Sequence, residues 1–246
     1  MDAVAEHSQD PTSDPGATVH GRLAGQLGEL ARSLQGETDF EATLATIVGA
    51  ALDLIPGASD ASISVVEARR TIRSHAPSSE LPAVIDRLQE QHGEGPCLDA
   101  VWEQRIVRVP DLRHEPRWPI FAPAAAAAGA SAMLCFQLYV EDDNLGALNV
   151  YGAETGVFDA ESEEIGLLVA AHAAVAFADA KRISNLLEAV RTRDLIGQAK
   201  GILMERFKIT DHQAFLILAT ASSKTNIKLR DVAEQLTTTG LLPGQS

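Results

Sequence analysis

The sequence predicts an α+β domain, an antiparallel sheet flanked by helices, followed by an all-α domain of three helices. Three observations support this division. Segments with alternating apolar and polar residues lie between helical segments in the first 180 residues. From residue 191 onward, apolar residues recur only at helical spacing. The charge also changes, because residues 181–236 carry ten Lys and Arg against six Asp and Glu, whereas the whole chain carries 20 against 34.

The composition indicates a soluble protein. With 246 residues and 46% hydrophobic content, the chain is long enough to bury a core. The polar N-terminus has no signal-peptide pattern, and the longest apolar runs are shorter than the roughly 20 residues that span a bilayer. We therefore predict a cytoplasmic location and no membrane contact. The predicted segments are a disordered leader at 1–18, the α+β domain at 19–180, the three-helix domain at 181–240 and a tail at 241–246.

The elements of the α+β domain follow from the spacing of apolar residues. Two helices are predicted within residues 20–55, and Asp39 is expected to cap the second. Alternation then indicates strands, of which the last two form a hairpin. The predicted order after the first two helices is strands at 61–67 and 71–76, helices at 81–91 and 98–102, a strand at 105–109, a helix at 118–128, strands at 131–140 and 145–151, and a long helix from Ala160.

Apolar residues at three- and four-residue spacing define the C-terminal helices. Thr210 and Gln213 form a capping box that starts the second helix, and Asn226 can cap the third. The predicted inward positions are Ile196, Ala199, Leu203 and Phe207 in the first helix, Ala214, Ile217, Leu218 and Ala221 in the second, and Leu229, Val232, Ala233 and Leu236 in the third.

Basic side chains fill the remaining faces of these helices. A basic module on an acidic chain is typical of a nucleic-acid contact surface, although a solvated helical face has the same composition. Gly201 lies inside the first helix, where glycine costs about 1 kcal/mol relative to alanine. That cost suggests a close approach of another backbone or a ligand. The basic residues are Arg191, Arg193, Lys200, Arg206, Lys208, Lys224, Lys228 and Arg230.

Residues 188–240 resemble the ANTAR domain. The resemblance is carried by RDLIGQAKGILM at 193–204, by Ala214 and Leu218, and by NIKLRDVA at 226–233. One departure is the pair that follows Leu218, Ala-Thr, where family members often carry an arginine. The family comprises RNA-binding transcription antiterminators. The resemblance therefore implies binding to a pair of small stem-loops in nascent RNA, which prevents formation of a terminator.

If this unit binds RNA, the chemistry of its side chains indicates which of them contact it. Basic residues would hold phosphates, and Gln198 and Asn226 would read splayed bases. Phe207 and Phe215, the aromatic residues of this segment, are expected in the core, which leaves no obvious platform for base stacking. The predicted RNA-binding residues are Arg193, Gln198, Lys200, Gly201, Arg206, Lys224, Asn226, Lys228 and Arg230.

Residues 22–180 resemble a GAF domain. The motifs are GEGPCL at 93–98, NLGALNVY at 144–151, and Phe158 with the helix after it. They match the GAF type that accompanies ANTAR domains in actinobacterial regulators. The resemblance implies an unknown small-molecule ligand bound on one face of the sheet. The cyclic-nucleotide signature of the family is missing, and no histidine has a haem-binding motif, so the cofactor is unknown.

Cys97 is a candidate sensor residue in this domain. It follows Gly-Pro at the start of a short helix, where the helix N-terminus would lower the pKa of the thiol. A redox sensor and a buried structural cysteine are the two interpretations that the sequence leaves open.

The segment between the two domains predicts one continuous helix and a homodimer. No proline or strong stop signal occurs between Ala160 and Met204. A coiled coil formed by two copies of this helix would place two basic modules side by side. The residues at helical to heptad-like spacing are Ile165, Leu168, His172, Val175, Ile183, Leu186 and Val190.

The motifs of common enzyme classes do not occur in the sequence. It contains no P-loop, G-x-S-x-G, H-E-x-x-H or zinc-finger pattern. We therefore expect a regulator and not an enzyme. Two alternatives to the RNA-binding antiterminator stay open, a module that docks a protein partner through its helical face and a DNA-binding helix-turn-helix regulator.

Overall fold

The computed structural model describes residues 15–37, 39–67, 71–102, 105–140 and 143–243. These residues form two compact units, the first ending at Lys181 and the second beginning at Arg182. The first helix begins at Pro15, so the prediction of a disordered leader is wrong for residues 15–18. The rest of that leader and residues 244–246 lie outside the described part of the chain. Within that part, no helix combines the length and apolar character needed to cross a membrane.

The first unit is an α+β domain, as predicted. Its sheet has five strands in the order β2-β1-β5-β4-β3, and every neighbouring pair is antiparallel. The elements are α1 (Pro15–Gly36), α2 (Phe40–Leu54), β1 (Asp60–Glu67), β2 (Thr71–His75), α3 (Glu80–His92), α4 (Pro96–Trp102), β3 (Ile106–Val109), α5 (Phe121–Ala127), β4 (Ala132–Val140), β5 (Asp143–Gly152) and α6 (Ala160–Phe207), with a 3₁₀ turn at Leu112–His114.

The two faces of the sheet differ in chemistry. Strand side chains alternate between the faces, so Ile63 and Leu148 pair on one face, which packs against α1, α2 and α6. Ser62 pairs with Asn149 on the other face, where α3, α4 and α5 supply the apolar packing. The buried polar side chains of β1 and β5 therefore lie on one face of the sheet, the face that packs against α3, α4 and α5.

A distant carboxylate sets the start of α5. The sequence predicts a helix over 118–128, but α5 begins only at Phe121. Glu94 Oε1 accepts hydrogen bonds from the backbone N–H groups of Ile120 at 2.7 Å and Phe121 at 2.8 Å. Free N–H groups at a helix start need such acceptors. Because Glu94 lies in the loop before α4, the local sequence around α5 could not reveal this cap.

The long helix predicted from Ala160 is present and unbroken. α6 spans 48 residues, and the structure confirms that it continues into the segment predicted as the first C-terminal helix. Asp159 precedes it, and its Oδ1 accepts a hydrogen bond from Ser162 N at 3.0 Å. The Asp39 cap of α2 is also confirmed, since its side chain accepts a hydrogen bond from Ala42 N at 2.9 Å.

The second unit is all-α, as predicted. It contains the C-terminal part of α6, α7 (Asp211–Thr225) and α8 (Leu229–Thr239). The capping box is confirmed, because Thr210 N donates to Gln213 Oε1 at 2.9 Å and Gln213 N donates to Thr210 Oγ1 at 3.4 Å. The buried core residues are Ala199, Leu203, Ala214, Leu218, Val232, Ala233, Leu236 and Leu242.

Three sequence predictions for this unit are wrong. Asn226 does not cap the third helix; it ends α7 in the left-handed conformation, φ +55°, which Asn tolerates better than most residues. α8 instead starts after Lys228, without a side-chain cap. Phe207 and Phe215 are not core residues, because they are 53% and 39% exposed. The core closes on smaller Ala and Leu side chains, which leaves both rings at the surface.

Candidate functional site

An open groove of about 650 Å³ runs along α6 in the second unit. α6 supplies all of its lining residues except Phe215, which belongs to α7. The groove contains two residues predicted from sequence, Arg193 and Lys200. The lining residues are Asn185, Glu188, Ala189, Thr192, Arg193, Ile196, Gly197, Lys200 and Phe215.

The cations of the groove differ in their partners. Lys200 forms an ion pair with Asp211 at 2.6 Å, and Asp211 is largely exposed. Arg193 is exposed and has no ion pair among the described residues. Surface ion pairs contribute roughly 0–1 kcal/mol to stability, so an incoming phosphate can replace Asp211 at little cost. Both cations are thus available to an anionic ligand.

Arg230 reaches the edge of the same groove. Its guanidinium contacts Glu188, and its Nε donates to Asp231 Oδ1 at 2.9 Å. These carboxylates hold the pKa of Arg230 above its ordinary value because they accept hydrogen bonds from the guanidinium, with the larger effect from Asp231 and the smaller from Glu188. Glu188 is the one acidic residue in the groove lining, and Arg230 compensates its charge.

The structure does not bring the other predicted residues to this groove. Gln198, Gly201 and Arg206 line a second groove on a different face of α6, where Arg206 also donates to the Gly240 carbonyl at 2.7 Å. Lys224 lines a third groove beside Leu242. Asn226 and Lys228 occupy the exposed turn between α7 and α8.

Gly197 and Gly201, the two glycines of α6 in the second unit, are not explained by packing against the described residues. A Cβ built at Gly201 would meet no atom within 4 Å, which excludes the predicted close approach of another backbone from the described residues. Gly197, in the first groove, is equally open. Each costs about 1 kcal/mol of helix stability relative to alanine.

Sequence reasoning missed Gly197 and Phe215. The signal for Phe215 was available, because Ala214 and Leu218 fix the inward face of α7 and a residue directly after Ala214 is rotated by about 100°. Phe215 was predicted to lie in the core because phenylalanine is hydrophobic, although its position on the helix faces away from the inward residues. Gly197 was visible as a second glycine one turn before Gly201.

The first unit has a second candidate site, a buried polar network between the sheet and α3. Asn149 Nδ2 donates to Ser64 Oγ at 2.7 Å, and Ser64 Oγ donates to Asp86 Oδ2 at 2.7 Å. Gln89 Nε2 lies 3.4 Å from Asp86 Oδ1, and Gln89 Oε1 accepts a hydrogen bond from Cys97 N at 2.8 Å. This network joins β1, β5, α3 and α4.

A glycine makes room for Gln89 in this network. Gly95 has φ +141°, and a Cβ there would lie 2.5 Å from Gln89 Oε1. Only glycine readily adopts such a φ, and only glycine leaves the space. The packing of the network therefore requires glycine at position 95 of the Gly-Glu-Gly-Pro loop.

Several polar atoms beside this network lack a hydrogen-bond partner. They are Ser62 Oγ, Ser74 Oγ, Asn149 Oδ1 and Tyr151 Oη, which are all buried and all belong to strands of the sheet. Ser74 Oγ has no partner at hydrogen-bonding geometry. It is nevertheless near enough to Asp86 to stabilise the ionised form of that carboxyl group and so to lower its pKa. Buried polar groups without partners are uncommon and costly. Such a cluster suits a small polar ligand or ordered water.

Asp86 is the charged centre of the network. It is 2% exposed, and burial raises its pKa from 3.8 to about 6, against the opposing influence of the nearby Ser74 hydroxyl and of the hydrogen bond from Ser64. Ordinary carboxyl groups are ionised well below that pH. Asp86 therefore takes up or releases a proton in a range where most surface carboxylates stay charged.

Cys97 does not have the lowered pKa that its place at a helix start predicted. Cys97 and Cys135 are both fully buried, and burial raises the pKa of each thiol. The charge of Asp86 acts in the same direction on Cys97. Desolvation outweighs the helix N-terminus here. Among the described residues, no group of three or more His, Cys, Asp or Glu could hold a metal ion.

We expect both thiols to be unreactive in the folded protein. An aromatic disulfide reagent should modify neither cysteine in native buffer and both in denaturant, because the thiolate is the reactive species and burial disfavours it. A Ser184→Cys variant, with its new thiol at an exposed position of α6, shows that the reagent works under native conditions. Rapid modification of Cys97 in the native protein would restore the redox-sensor interpretation.

Family models match both units. One described as a GAF domain matches residues 37–178, and one described as an ANTAR domain matches residues 184–236. No curated protein sequence matches the chain.

Solved structures resemble the first unit. The GAF domain of a phosphoenolpyruvate-protein phosphotransferase from Coxiella burnetii has 16% identity and a TM-score of 0.53, over 66% of this chain and 96% of its own. The corresponding domain from Acinetobacter has 14% identity and a TM-score of 0.52, over 67% and 98%. A free methionine-R-sulfoxide reductase from Neisseria meningitidis has 14% identity and a TM-score of 0.50, over 72% and 99%. At these identities the likeness shows the fold alone.

The family matches fit the geometry of each unit. A GAF domain before an ANTAR domain supports a signal-sensing regulator with an RNA-binding antiterminator module. The GAF match covers more than half of the chain, since it spans residues 37–178 of 246. The chain belongs to the GAF domain family, and an ANTAR domain follows its GAF domain.

Proposed function

We propose that this protein is a signal-responsive transcription antiterminator that binds paired stem-loops in nascent RNA, of the kind found in actinobacterial regulators. The observation that carries the proposal is the groove of the second unit, where Arg193, Lys200 and the exposed ring of Phe215 meet. RNA loops offer phosphates to the cations and unstacked bases to the ring. The proposal places the protein in the cytoplasm and assigns it no catalytic activity.

The charge distribution supports RNA as the ligand of the second unit. Residues 181–236 carry a net charge of +4 from ten basic and six acidic residues, whereas the whole chain carries −14. The remainder therefore carries −18 and repels nucleic acid. Electrostatic attraction is thus confined to one small module.

A homodimer could bind two stem-loops at once, because each protomer supplies one RNA-binding module. Ile183, Leu186, Leu187 and Val190 lie at i, i+3, i+4 and i+7 on α6 and are between 45% and 62% exposed. This spacing is that of a coiled-coil seam. The partner that we propose is a second copy of the chain, because a seam of this spacing is self-complementary. Two linked modules gain affinity for a paired RNA through effective concentration.

The buried network of the first unit supports a sensor role. None of the residues that form hydrogen bonds with Asp86 carries a positive charge. Near it, the buried atoms Ser62 Oγ, Asn149 Oδ1 and Tyr151 Oη have no partner at hydrogen-bonding geometry. We assign the signal to a small polar ligand that contacts this set. A ligand that donates hydrogen bonds or carries positive charge would fit the ionised Asp86.

RNA titration of the full-length protein tests the proposal. A paired stem-loop RNA, a single stem-loop and a duplex DNA of equal length are compared over a range of salt concentrations. We expect the paired RNA to bind most tightly and the DNA most weakly. A preference for DNA would favour the helix-turn-helix alternative. Absence of RNA binding by both the full-length protein and residues 185–246 would favour the protein-docking alternative.

Arg193→Ala should weaken binding to paired and single stem-loops alike. Loss of one phosphate contact should flatten the log–log salt dependence by about 0.7 per module. Arg22→Ala, at an exposed position of α1, removes the same charge from the first unit and should leave both affinities unchanged. An unaltered salt slope for Arg193→Ala would contradict the phosphate contact.

A further inference from the structure

We propose that the groove of the second unit seats one unpaired RNA base, stacked on Phe215 and lying against the bare helix backbone at Gly197. The proposal rests on RNA binding by this unit and adds the specific base seat. It assigns recognition of an RNA base to Phe215 and Gly197, two residues that are not part of the basic-residue pattern.

The first observation is the exposed ring. Phe215 is 39% exposed, and it lines the groove together with residues that all belong to α6. Stacking of a base on an aromatic ring is a favourable and sequence-tolerant contact. A phenylalanine ring offers no hydrogen bonds, so the stacking face is its main contribution to a polar ligand.

The second observation is the helical glycine that lines the same groove as the ring. No atom lies within 4 Å of a Cβ built at Gly197, so the missing side chain serves no packing within the described residues. Glycine in a helix is destabilising relative to alanine. A flat ligand that contacts the helix backbone would account for it. Gly201 is equally open but lines another groove, which contains Glu205 and no aromatic residue.

The third observation is the arrangement of charge around Gly197. Arg193 lies four residues before it and Lys200 three residues after it, so both cations fall on the same side of α6. A nucleotide whose base enters at Gly197 would have its two flanking phosphates near these side chains. Asn185 and Thr192 add polar groups to the lining that suit the edge of a base.

These features favour a nucleobase over an apolar peptide. The apolar lining residues, Ala189, Ile196 and Phe215, lie among the charged side chains of Glu188, Arg193 and Lys200. An apolar peptide would remove water from these charges without compensating them, whereas the phosphates of a nucleotide pair with the two cations. The charge of Glu188 is compensated by Arg230, so it does not exclude an anionic chain.

Two matched glycine variants of the full-length protein test the seat. Gly197→Ala and Gly25→Ala, the latter at an open and exposed position of α1, should each raise the melting temperature of the unit that contains the change, because both improve helix propensity. Only Gly197→Ala should weaken binding to the paired stem-loop RNA, by about tenfold, since its methyl group occupies the seat. Equal RNA affinities of the two variants would overturn the proposal.

An abasic scan of the RNA loop identifies the stacked base. Phe215→Leu should lower RNA affinity roughly 5- to 150-fold, the range expected for one stacked base, while the salt slope stays unchanged. One abasic loop position should weaken binding to the original protein and have no further effect on Phe215→Leu. Additive losses at every position would overturn the seat and leave RNA binding intact. Failure of the unaltered protein to bind RNA would overturn both the seat and the proposed function.

Discussion

Asp86→Asn is expected to stabilise the first unit by about 3 kcal/mol above pH 7 and to change its stability little near pH 4. The pKa of Asp86 rises from 3.8 to about 6 in the fold because the carboxyl is buried. One pKa unit corresponds to about 1.4 kcal/mol, so the ionised carboxylate costs about 3 kcal/mol in the folded protein. Asparagine has a similar shape and cannot ionise.

The sign of the pH dependence follows from the raised pKa. The folded protein binds the Asp86 proton more tightly than the unfolded chain does. The stabilisation of the folded protein by this bound proton is therefore fully present below pH 3.8, and it is lost as the pH rises through about 6. The other titratable groups near Asp86, on α4, β4 and β5, are Cys97, Cys135 and Tyr151, and burial raises the pKa of each. They stay neutral across this range, so the transition belongs to Asp86.

Tryptophan fluorescence can measure this effect in the intact chain. The two tryptophans, Trp102 and Trp118, both lie in the first unit, so denaturant unfolding followed by fluorescence reports that unit. The difference in the free energy of unfolding between Asp86→Asn and the original protein should grow from pH 4 to pH 6 and then stay constant. Glu164→Gln removes an exposed carboxyl of α6 as a control and should show no such growth. A difference that is constant from pH 4 to pH 8 would contradict the raised pKa.

Retention of an ionisable group at such a cost indicates a role beyond stability. A serine, an asparagine and a glutamine surround Asp86, and none carries a compensating charge. Residues that lower stability without a structural benefit occur preferentially at functional sites. The polar network is therefore the part of the first unit where a ligand would change stability most.

The sequence predicted the fold well because the signals for it are local. Strand alternation, the caps at Asp39 and Thr210, and the missing stop signal in α6 all depend on neighbouring residues. The start of α5 was misplaced because its cap, Glu94, is distant in sequence. Asn226 was misassigned because asparagine suits both a helix start and a left-handed helix end.

The candidate sites were harder to predict than the fold. Side-chain charge identified Arg193 and Lys200, but the same criterion included Arg206 and Lys224, which lie on other faces. A list of cations contains no information about which helix faces share a groove. The sequence pointed to Cys97 and to the motif that contains Asn149, but it missed Asp86, Gln89 and Ser64, because the network joins β1, β5, α3 and α4 and no local pattern connects them.

Leu187→Glu is expected to convert the proposed dimer to a monomer without unfolding it. Leu187 is 62% exposed at the centre of the apolar seam on α6, so its loss removes no core packing within the protomer. Glutamate has a helix propensity close to that of leucine. In a dimer the new carboxylate would be buried without a partner, which costs several kcal/mol.

RNA affinity should follow the loss of the dimer. Without a second linked module, affinity for the paired stem-loop should fall by about 10²-fold or more and approach that for a single stem-loop, which should stay unchanged. Ser184→Glu adds the same charge one turn earlier, outside the seam, and should preserve both dimer mass and affinity. Sedimentation equilibrium gives the mass of each variant. A Leu187→Glu protein that stays dimeric, or a monomer that keeps full affinity for the paired RNA, would show that this seam does not link the two RNA-binding modules.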